Sequence, residues 1–364
     1  MTTTPSLPRR LPLTPAPRRI AVLRALQLGD LLVAVPALRA LRRAYPAAEI
    51  TLIGLPWAAD FAARFAAYLD RFVPFPGAPG FAEADYDPAR TAAFLAEQRA
   101  SGYDLAVQMH GSGETSNPFV AALGARVTAG YYRGVPPAGL TLAAPYPNGV
   151  HEVHRWLRLV ALLGARARST ALEFPLRPED RAEAARLLRR LPPGGGPLVG
   201  LHPGSRQPAR RWPPEHFAAL GDLLAARHGA RIVLTGGPGE AETVAAVAAR
   251  MRHRALALAG KTSLGGLAAL LAKLDLFVSN DTGPAHLAAA VDAPSVTIFG
   301  PADPALWAPL DRERHLIARR RVACSPCGFW ECPIDHRCLR GIAPEEVAAL
   351  AARLLERKEA LCGA

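Results

Sequence analysis

Short apolar runs alternate with amphipathic stretches along most of the chain, the pattern a parallel α/β sheet requires. Arg19–Arg24 (RIAVLR) predicts a buried strand, Leu26–Asp30 a loop and Leu31–Tyr45 a helix. Glu49–Leu55, Arg71–Pro76, Asp104–His110 and Val127–Tyr132 predict four further strands, with Phe94–Arg99 belonging to a helix between the third and the fourth. Val135–Tyr146 is rich in Pro and Gly and is expected to be a loop long enough to carry function. His151–Gly164 predicts the helix that closes the first half.

Leu172–Pro178 reads as a linker, followed by a helix over Pro178–Arg190 and a Pro/Gly break at Pro192–Pro197. The alternation then restarts. Strands are predicted at Leu198–His202, Arg231–Thr235, Ala255–Ala259, Leu276–Ser279 and Ser295–Phe299. The helices between them are Pro214–His228, Gly239–Met251, Leu264–Leu274 and Pro284–Val291, and Ala343–Leu361 is a long terminal helix. No tandem repeat is present. The pattern predicts two Rossmann-like α/β domains facing each other, with the active site in the cleft between them.

Composition narrows the class. A chain of 364 residues exceeds the usual single core, in line with two domains. The 43 Lys and Arg outnumber 31 Asp and Glu, giving a formal charge of +12, and Lys occurs only at Lys261, Lys273 and Lys358. Arginine skew of this kind follows from a GC-rich genome; functionally it favours anionic partners such as phosphates or acidic lipid. No nucleic-acid motif or basic stripe interleaved with aromatics is present, so nucleic acid is not an expected partner. No apolar run reaches membrane-span length without a charge or a Pro/Gly cluster. Residues 1–17 carry many prolines and no apolar signal core, which predicts a disordered tail and a cytoplasmic location.

Three strand-to-helix loops of the second half hold small and polar residues, at the strand ends where open parallel sheets bind ligands. They are His202-Pro203-Gly204-Ser205-Arg206, continuing to Arg210-Arg211-Trp212-Pro213; Thr235-Gly236-Gly237-Pro238-Gly239-Glu240; and Ser279-Asn280-Asp281-Thr282-Gly283-Pro284-Ala285-His286. In the third, the free N–H groups of Thr282 and Gly283, with the helix dipole, form a cradle for a diphosphate. Gly283 allows close backbone approach and Pro284 suits the first helical turn. The plain alternative is that Asp281 or Thr282 is an N-cap. The second loop has neither the G-x-G-x-x-G spacing nor a Walker lysine. Its Glu240 could hold ribose hydroxyls or offset a helix dipole. In the first half, Asp30 follows Gln27-Leu28-Gly29 at the first strand-to-helix turn, as a general base or as an N-cap. Asp85-Tyr86-Asp87 precedes a Pro-started helix and reads as capping and surface charge, not as a metal site.

Leu28-Gly29-Asp30-Leu31-Leu32, His202-Pro203-Gly204-Ser205, Arg211-Trp212-Pro213, Gly236-Gly237-Pro238-Gly239-Glu240 and Ser279 to Ala288 closely resemble the heptosyltransferases of glycosyltransferase family nine. The resemblance runs in order from about Arg18 to the terminal helix, and Asp-Thr-Gly-Pro-x-His is its most specific element. It implies a GT-B fold, with an acceptor domain over 18–175, a nucleotide-sugar domain over 176–342 and a helix, 343–364, packing back toward the first domain. It further implies inverting, metal-independent transfer of heptose from ADP-heptose to a lipopolysaccharide inner-core or related glycan, without a cofactor. By position Asp30 would be the general base, Ser205 and Arg210 would meet the diphosphate, Glu240 would hold the ribose, and Asp281, Thr282, Gly283 and His286 would line diphosphate and sugar. The chain departs from the family in carrying Arg210 where its lipopolysaccharide members often have Lys, and the two differ in geometry. Competing readings are transfer from another nucleotide sugar or to another acceptor, including protein; a nucleotide-sugar epimerase; and a nucleotide-sugar binder without turnover.

On the acceptor side, His110 ends a first-half strand, and Arg39, Arg42 and Arg43 form a basic helix end that could meet the phosphates of a lipid-linked glycan at the cytoplasmic face of the inner membrane. The enzyme is expected to be a monomer. Four of the five cysteines are Cys324, Cys327, Cys332 and Cys338, with His336 among them. This spacing allows a structural Zn²⁺ but lacks the paired-knuckle pattern, so reduced thiols and no metal are expected. His151 and His154 share the i, i+3 spacing of a metal pair without a carboxylate partner motif, which favours an ordinary polar helix face.

Overall fold

The computed structural model describes residues 12–362, with side chains of the last helix described as far as residue 357. Residues 1–11 of the expected tail lie outside the described residues. Over 12–17 the chain is irregular, and the Leu13 amide donates to the Tyr45 hydroxyl at 3.0 Å. The chain divides into two compact units, 1–171 and 172–364.

The first unit runs β1 (Arg19–Leu23), α1 (Leu28–Ala44), β2 (Glu49–Gly54), α2 (Ala59–Arg64), β3 (Arg71–Pro74), α3 (Pro88–Ala100), β4 (Leu105–Gln108), α4 (Ser116–Ala122), β5 (Val127–Tyr132), β6 (Leu142–Pro145) and α5 (Glu152–Ala161). Its six strands lie in the order β3-β2-β1-β4-β5-β6, and every pair is parallel. A parallel sheet is covered on both faces, so its central strands are continuous apolar runs: Ile20, Ala21, Val22 and Leu23 are all fully buried.

Two expectations change here. The stretch Val135–Tyr146 is only partly a loop, because Leu142–Pro145 pairs with β5 as the edge strand. The first helix starts at Leu28, so Asp30 is not a loop residue or a cap. The N-cap position belongs to Gln27, and Asp30 sits in the first turn. Asp87 does cap α3, accepting the Arg90 N–H at 3.0 Å, as the capping reading of Asp85-Tyr86-Asp87 holds. His151 lies at the N-cap of α5, where its Nδ1 accepts the Val153 N–H at 3.2 Å.

The second unit runs α6 (Pro178–Leu188), β7 (Leu198–His202), α7 (Pro214–His228), β8 (Arg231–Leu234), α8 (Ala241–Arg250), β9 (Ala255–Ala257), α9 (Leu264–Leu271), β10 (Leu276–Asn280), α10 (Gly283–Ala290), β11 (Ser295–Phe299), α11 (Pro304–Trp307), β12 (His315–Arg319), α12 (Arg337–Arg340) and α13 (Pro344–Cys362). Its sheet repeats the topology of the first: β12-β11-β10-β7-β8-β9, all parallel. β12, absent from the sequence expectations, is the edge strand beside β11. The contacts described for α13 are with α7 and with β10, β11 and β12 of its own unit, where Val347, Ala348, Ala351, Leu354 and Leu355 enter the core around Trp212 and Phe217.

Candidate functional site

In the second unit the order of strands reverses between β7 and β10, and a doubly wound sheet opens its binding crevice at that point. The loops after β7, β8 and β10 meet there, and side chains fasten them together. Asn280, the last residue of β10 and fully buried, donates from Nδ2 to the Pro203 carbonyl at 2.8 Å and to that of Gly204 at 3.2 Å. Its Oδ1 accepts the Trp212 N–H at 3.0 Å. One amide thus fixes the start of both halves of the first loop. Arg211 closes that loop, donating from Nε to the Ser205 carbonyl at 2.8 Å.

Arg210 follows in a short 3-10 turn, Pro208–Arg210. Its Nη1 donates to Asp281 Oδ2 at 2.9 Å, and the Asp281 side chain is 4% exposed against 31% for Arg210. The carboxylate therefore faces the guanidinium, and Arg210 Nε keeps no hydrogen-bond partner among the described residues. Thr282 holds the N-cap position of α10 without a side-chain cap bond, and Pro284 stands in the first turn. The free N–H groups at this helix start and the part-exposed guanidinium give positive charge at one sheet edge. Ser205 and His286 are buried, and the His286 ring lies edge-on to Trp307 with centroids 6.2 Å apart.

Glu240 occupies the N-cap position of α8 but does not cap it with its side chain. Its Oε2 accepts the Gly237 N–H at 2.7 Å and lies 3.5 Å from His202 Nε2. Burial pulls the His202 imidazole below its ordinary range, while Glu240 opposes that shift. On the other ring nitrogen His202 meets the Thr235 hydroxyl at 3.0 Å. A Cβ on Gly204 would stand 2.1 Å from the Glu240 carboxyl carbon, so this approach requires glycine. His202, Thr235 and Asn280 lie in the motifs read from the sequence, yet their supporting roles emerge only from geometry.

In the first unit the corresponding reversal falls between β1 and β4. Asp30 stands there with its side chain 25% exposed. Behind it Arg24, 1% exposed, donates from Nε to the Asp30 carbonyl at 2.6 Å and from Nη1 to the Met109 carbonyl. Sequence reading treats Arg24 merely as the end of a strand. His110 is 7% exposed, with Nε2 3.8 Å from Glu83 and its ring edge-on to Phe81. Burial, helped by the Arg24 charge, lowers its pKa to about 3, so it is neutral in ordinary buffers. Arg39 donates to the carbonyls of Ser169 and Ala171, at 3.3 and 3.0 Å. Arg42 donates to Ala48 at 2.6 Å and pairs with Asp70, while Arg43 is exposed. Two of the three helix-end arginines therefore stitch backbone.

Cys324, Cys327, Cys332 and Cys338 are free thiols. Burial pushes the Cys332 thiol up, but the amides of Ile334, His336 and Asp335 outweigh it and leave it below its ordinary value. Among the described residues no group of three or more His, Cys, Asp and Glu is arranged to hold a metal ion. No helix among the described residues is long and apolar enough to cross a membrane.

Residues 92–337 match the model of glycosyltransferase family 9 (heptosyltransferase). Lipopolysaccharide heptosyltransferase 1 of Escherichia coli strain K12 is 30% identical over 296 residues, covering 79% of this chain and 89% of that protein. Lipooligosaccharide heptosyltransferase 2 of Campylobacter jejuni is 31% identical over 169 residues, which span 44% of this chain and only 52% of that relative. A family 9 glycosyltransferase from Veillonella parvula superposes with a TM-score of 0.78 at 23% identity, covering 93% of this chain and 98% of that one. ADP-heptose lps heptosyltransferase II of E. coli does so with 0.73 at 22% identity, covering 93% and 99%. The fold is thus the α/β GT-B class. The chain belongs to glycosyltransferase family 9.

Proposed function

We propose that this chain is an inverting, metal-independent heptosyltransferase that moves heptose from ADP-heptose to a lipopolysaccharide inner-core or related lipid-linked glycan at the cytoplasmic face of the inner membrane. The observation that carries this reading is the Arg210–Asp281 pair beside the N-terminus of α10, in a member of family 9. Heptosyltransfer is the activity named for the relatives on both sides of the comparison.

In this reading the diphosphate rests on the Thr282 and Gly283 N–H groups and on Arg210, which Asp281 aims. Ser205 adds a hydroxyl. As the bond to the anomeric carbon breaks, charge accumulates on the leaving phosphate, and these fixed donors stabilise it more than they stabilise the bound donor. Divalent metals fill that role in other transferases. Glu240, held by Gly237 and His202, accepts from ribose hydroxyls, and His286 lines the sugar. Asp30 takes the proton from the acceptor hydroxyl as that oxygen attacks the face opposite the diphosphate, which inverts the anomeric centre. His110, neutral and just after β4 at the edge of the β1–β4 reversal, contacts the acceptor.

The test combines a donor screen with one variant. Purified protein is incubated with ADP-, UDP- and GDP-sugars and heptose-deficient lipopolysaccharide. Transfer confined to ADP-heptose, with Asp30→Ala retaining ADP affinity but losing transfer by about 10³-fold or more, is the expected result. Transfer unaffected by Asp30→Ala, or strongest from another nucleotide sugar, defeats the corresponding part of the reading.

A further inference from the structure

Arg24 is an unusual place for a cation. It follows β1, is fully buried, and has its guanidinium carbon 4.5 Å from the Trp156 ring centroid. Two of its nitrogens are committed to backbone carbonyls on either side of the strand-order reversal, those of Asp30 and Met109. The third, Nη2, has no hydrogen-bond partner among the described residues and faces Asp30 Oδ1 at 3.9 Å. Burial lowers the Arg24 pKa to about 10, which the Asp30 charge partly offsets, so the cation persists at neutral pH.

Stitching the end of β1 to α1 and to the residue after β4 accounts for Nε and Nη1 but not for the placement of Nη2. Holding a charge out of water without saturating its donors is unfavourable. Nη2 is sealed from solvent, so Arg24 does not meet substrate itself. The 3.9 Å separation is too long for a hydrogen bond but well within Coulombic reach. A carboxylate gripped by a bidentate guanidinium becomes a weak base, whereas a guanidinium at this distance favours the ionised form without occupying both oxygens itself.

We propose that Arg24 is a positioning residue for the reaction: its guanidinium pins the first turn of α1 through the Asp30 carbonyl and holds the Asp30 carboxylate ionised and oriented toward the acceptor hydroxyl. This rests on Asp30 as the proton acceptor. Among the described residues, the charged and titratable groups that act on Arg24 besides Asp30 are Arg155 of α5 and Tyr146 after β6, and Arg24 in turn acts on His110 after β4. His110 is neutral and Arg155 is itself paired with Glu152, whereas Arg24 faces the Asp30 carboxylate directly.

The experiment measures kcat and KM between pH 5 and 9 for heptose transfer from ADP-heptose to heptose-deficient lipopolysaccharide, alongside ADP affinity by calorimetry. Asp30→Asn, Arg24→Gln and Arg24→Lys are compared with the parent. Arg24→Gln is expected to lower kcat about 10- to 100-fold and to move the acid limb of the kcat profile up by about one pH unit, with donor KM and ADP affinity unchanged. Arg24→Lys keeps the charge but not the geometry, and is expected to leave the acid limb in place while lowering kcat about 10-fold. A folded Arg24→Gln protein with an unmoved acid limb, or a loss confined to KM, overturns the proposal. If Arg24→Gln does not fold, Arg24→Lys decides alone: parental kcat overturns the proposal, and the kcat loss with an unmoved limb supports it. Transfer retained by Asp30→Asn instead removes the base assignment, whatever Arg24 does.

Discussion

Arg210 and Asp281 show how a single pair divides labour. The carboxylate is almost sealed and the guanidinium is a third exposed, so Asp281 aims a charge that still reaches outward. Replacing Arg210 with Ala takes the guanidinium away from the buried Asp281 carboxylate. Arg210→Ala is expected to destabilise the protein by about 2 kcal/mol, less than the loss of a fully buried pair because one partner is wet, and to lower kcat about 100-fold. Urea unfolding and steady-state kinetics check the two parts separately. Arg210→Lys should stay within about 10-fold of the parental kcat if charge rather than planar geometry matters most. Gly204 gives a second residue-scale test. Gly204→Ala drives a methyl into the Glu240 carboxyl, breaking its contacts with Gly237 and His202. An ADP affinity about 10-fold weaker is expected, at a stability loss of about 1–3 kcal/mol. Calorimetry showing undiminished ADP affinity would remove Glu240 from nucleoside binding.

At the scale of elements, the loops after β7 and β10 are tied together because β10 ends in Asn280. Asn280→Ala deletes the hydrogen bonds to Pro203, Gly204 and Trp212 at a fully buried position, with an expected loss of about 2–4 kcal/mol. Because both halves of the first loop hang on that amide, ADP affinity should fall with stability, whereas a variant of equal stability loss elsewhere in the second core, such as Phe217→Leu, should leave ADP affinity intact. The loops themselves are legible in sequence: small and polar residues after apolar runs mark the ligand edge of a parallel sheet. Central strands are legible for a related reason, since a strand covered on both faces reads as IAVL, VGL or LFV. Edge strands are not. Leu142–Pro145 is two alanines between a leucine and a proline, and His315–Arg319 is half-buried with polar ends, so neither carries a β signature. The boundary of α1 is hidden too, because Gln27 takes the cap position without a capping side chain and Asp30, the better capping residue, lies a turn inside. Arg24 and Asn280 gain their meaning from partners 85 and 77 residues away, which no local pattern encodes.

On the scale of the whole molecule, both units bury neutral histidine. His110 in the first is lowered to about 3 by burial and by Arg24, and His315 in the second to about 4, chiefly by burial, beside the Ser295 hydroxyl at 2.9 Å. The folded chain cannot protonate either ring until well below the pH at which the unfolded chain does. Between about pH 6.5 and 4 the unfolded state therefore binds more protons, and stability declines as pH falls through that window. Stability is complete above the ordinary histidine range. Each histidine withdraws at most about 1.4 kcal/mol per pH unit, and about 1–2 kcal/mol at pH 5. The carboxylates of Asp104, Asp222 and Asp311, held below their ordinary range, act only at still lower pH. Thermal unfolding is thus expected to weaken from pH 7 to pH 5, before acid denaturation by carboxylates begins. Because the two histidines lie in different units, His315→Asn should flatten the pH dependence of the transition that exposes Phe277 and Trp212, and leave that of the first unit as it was. Scanning calorimetry at half-unit steps measures both slopes, and parallel slopes for parent and variant would show that the buried His315 does not govern acid sensitivity.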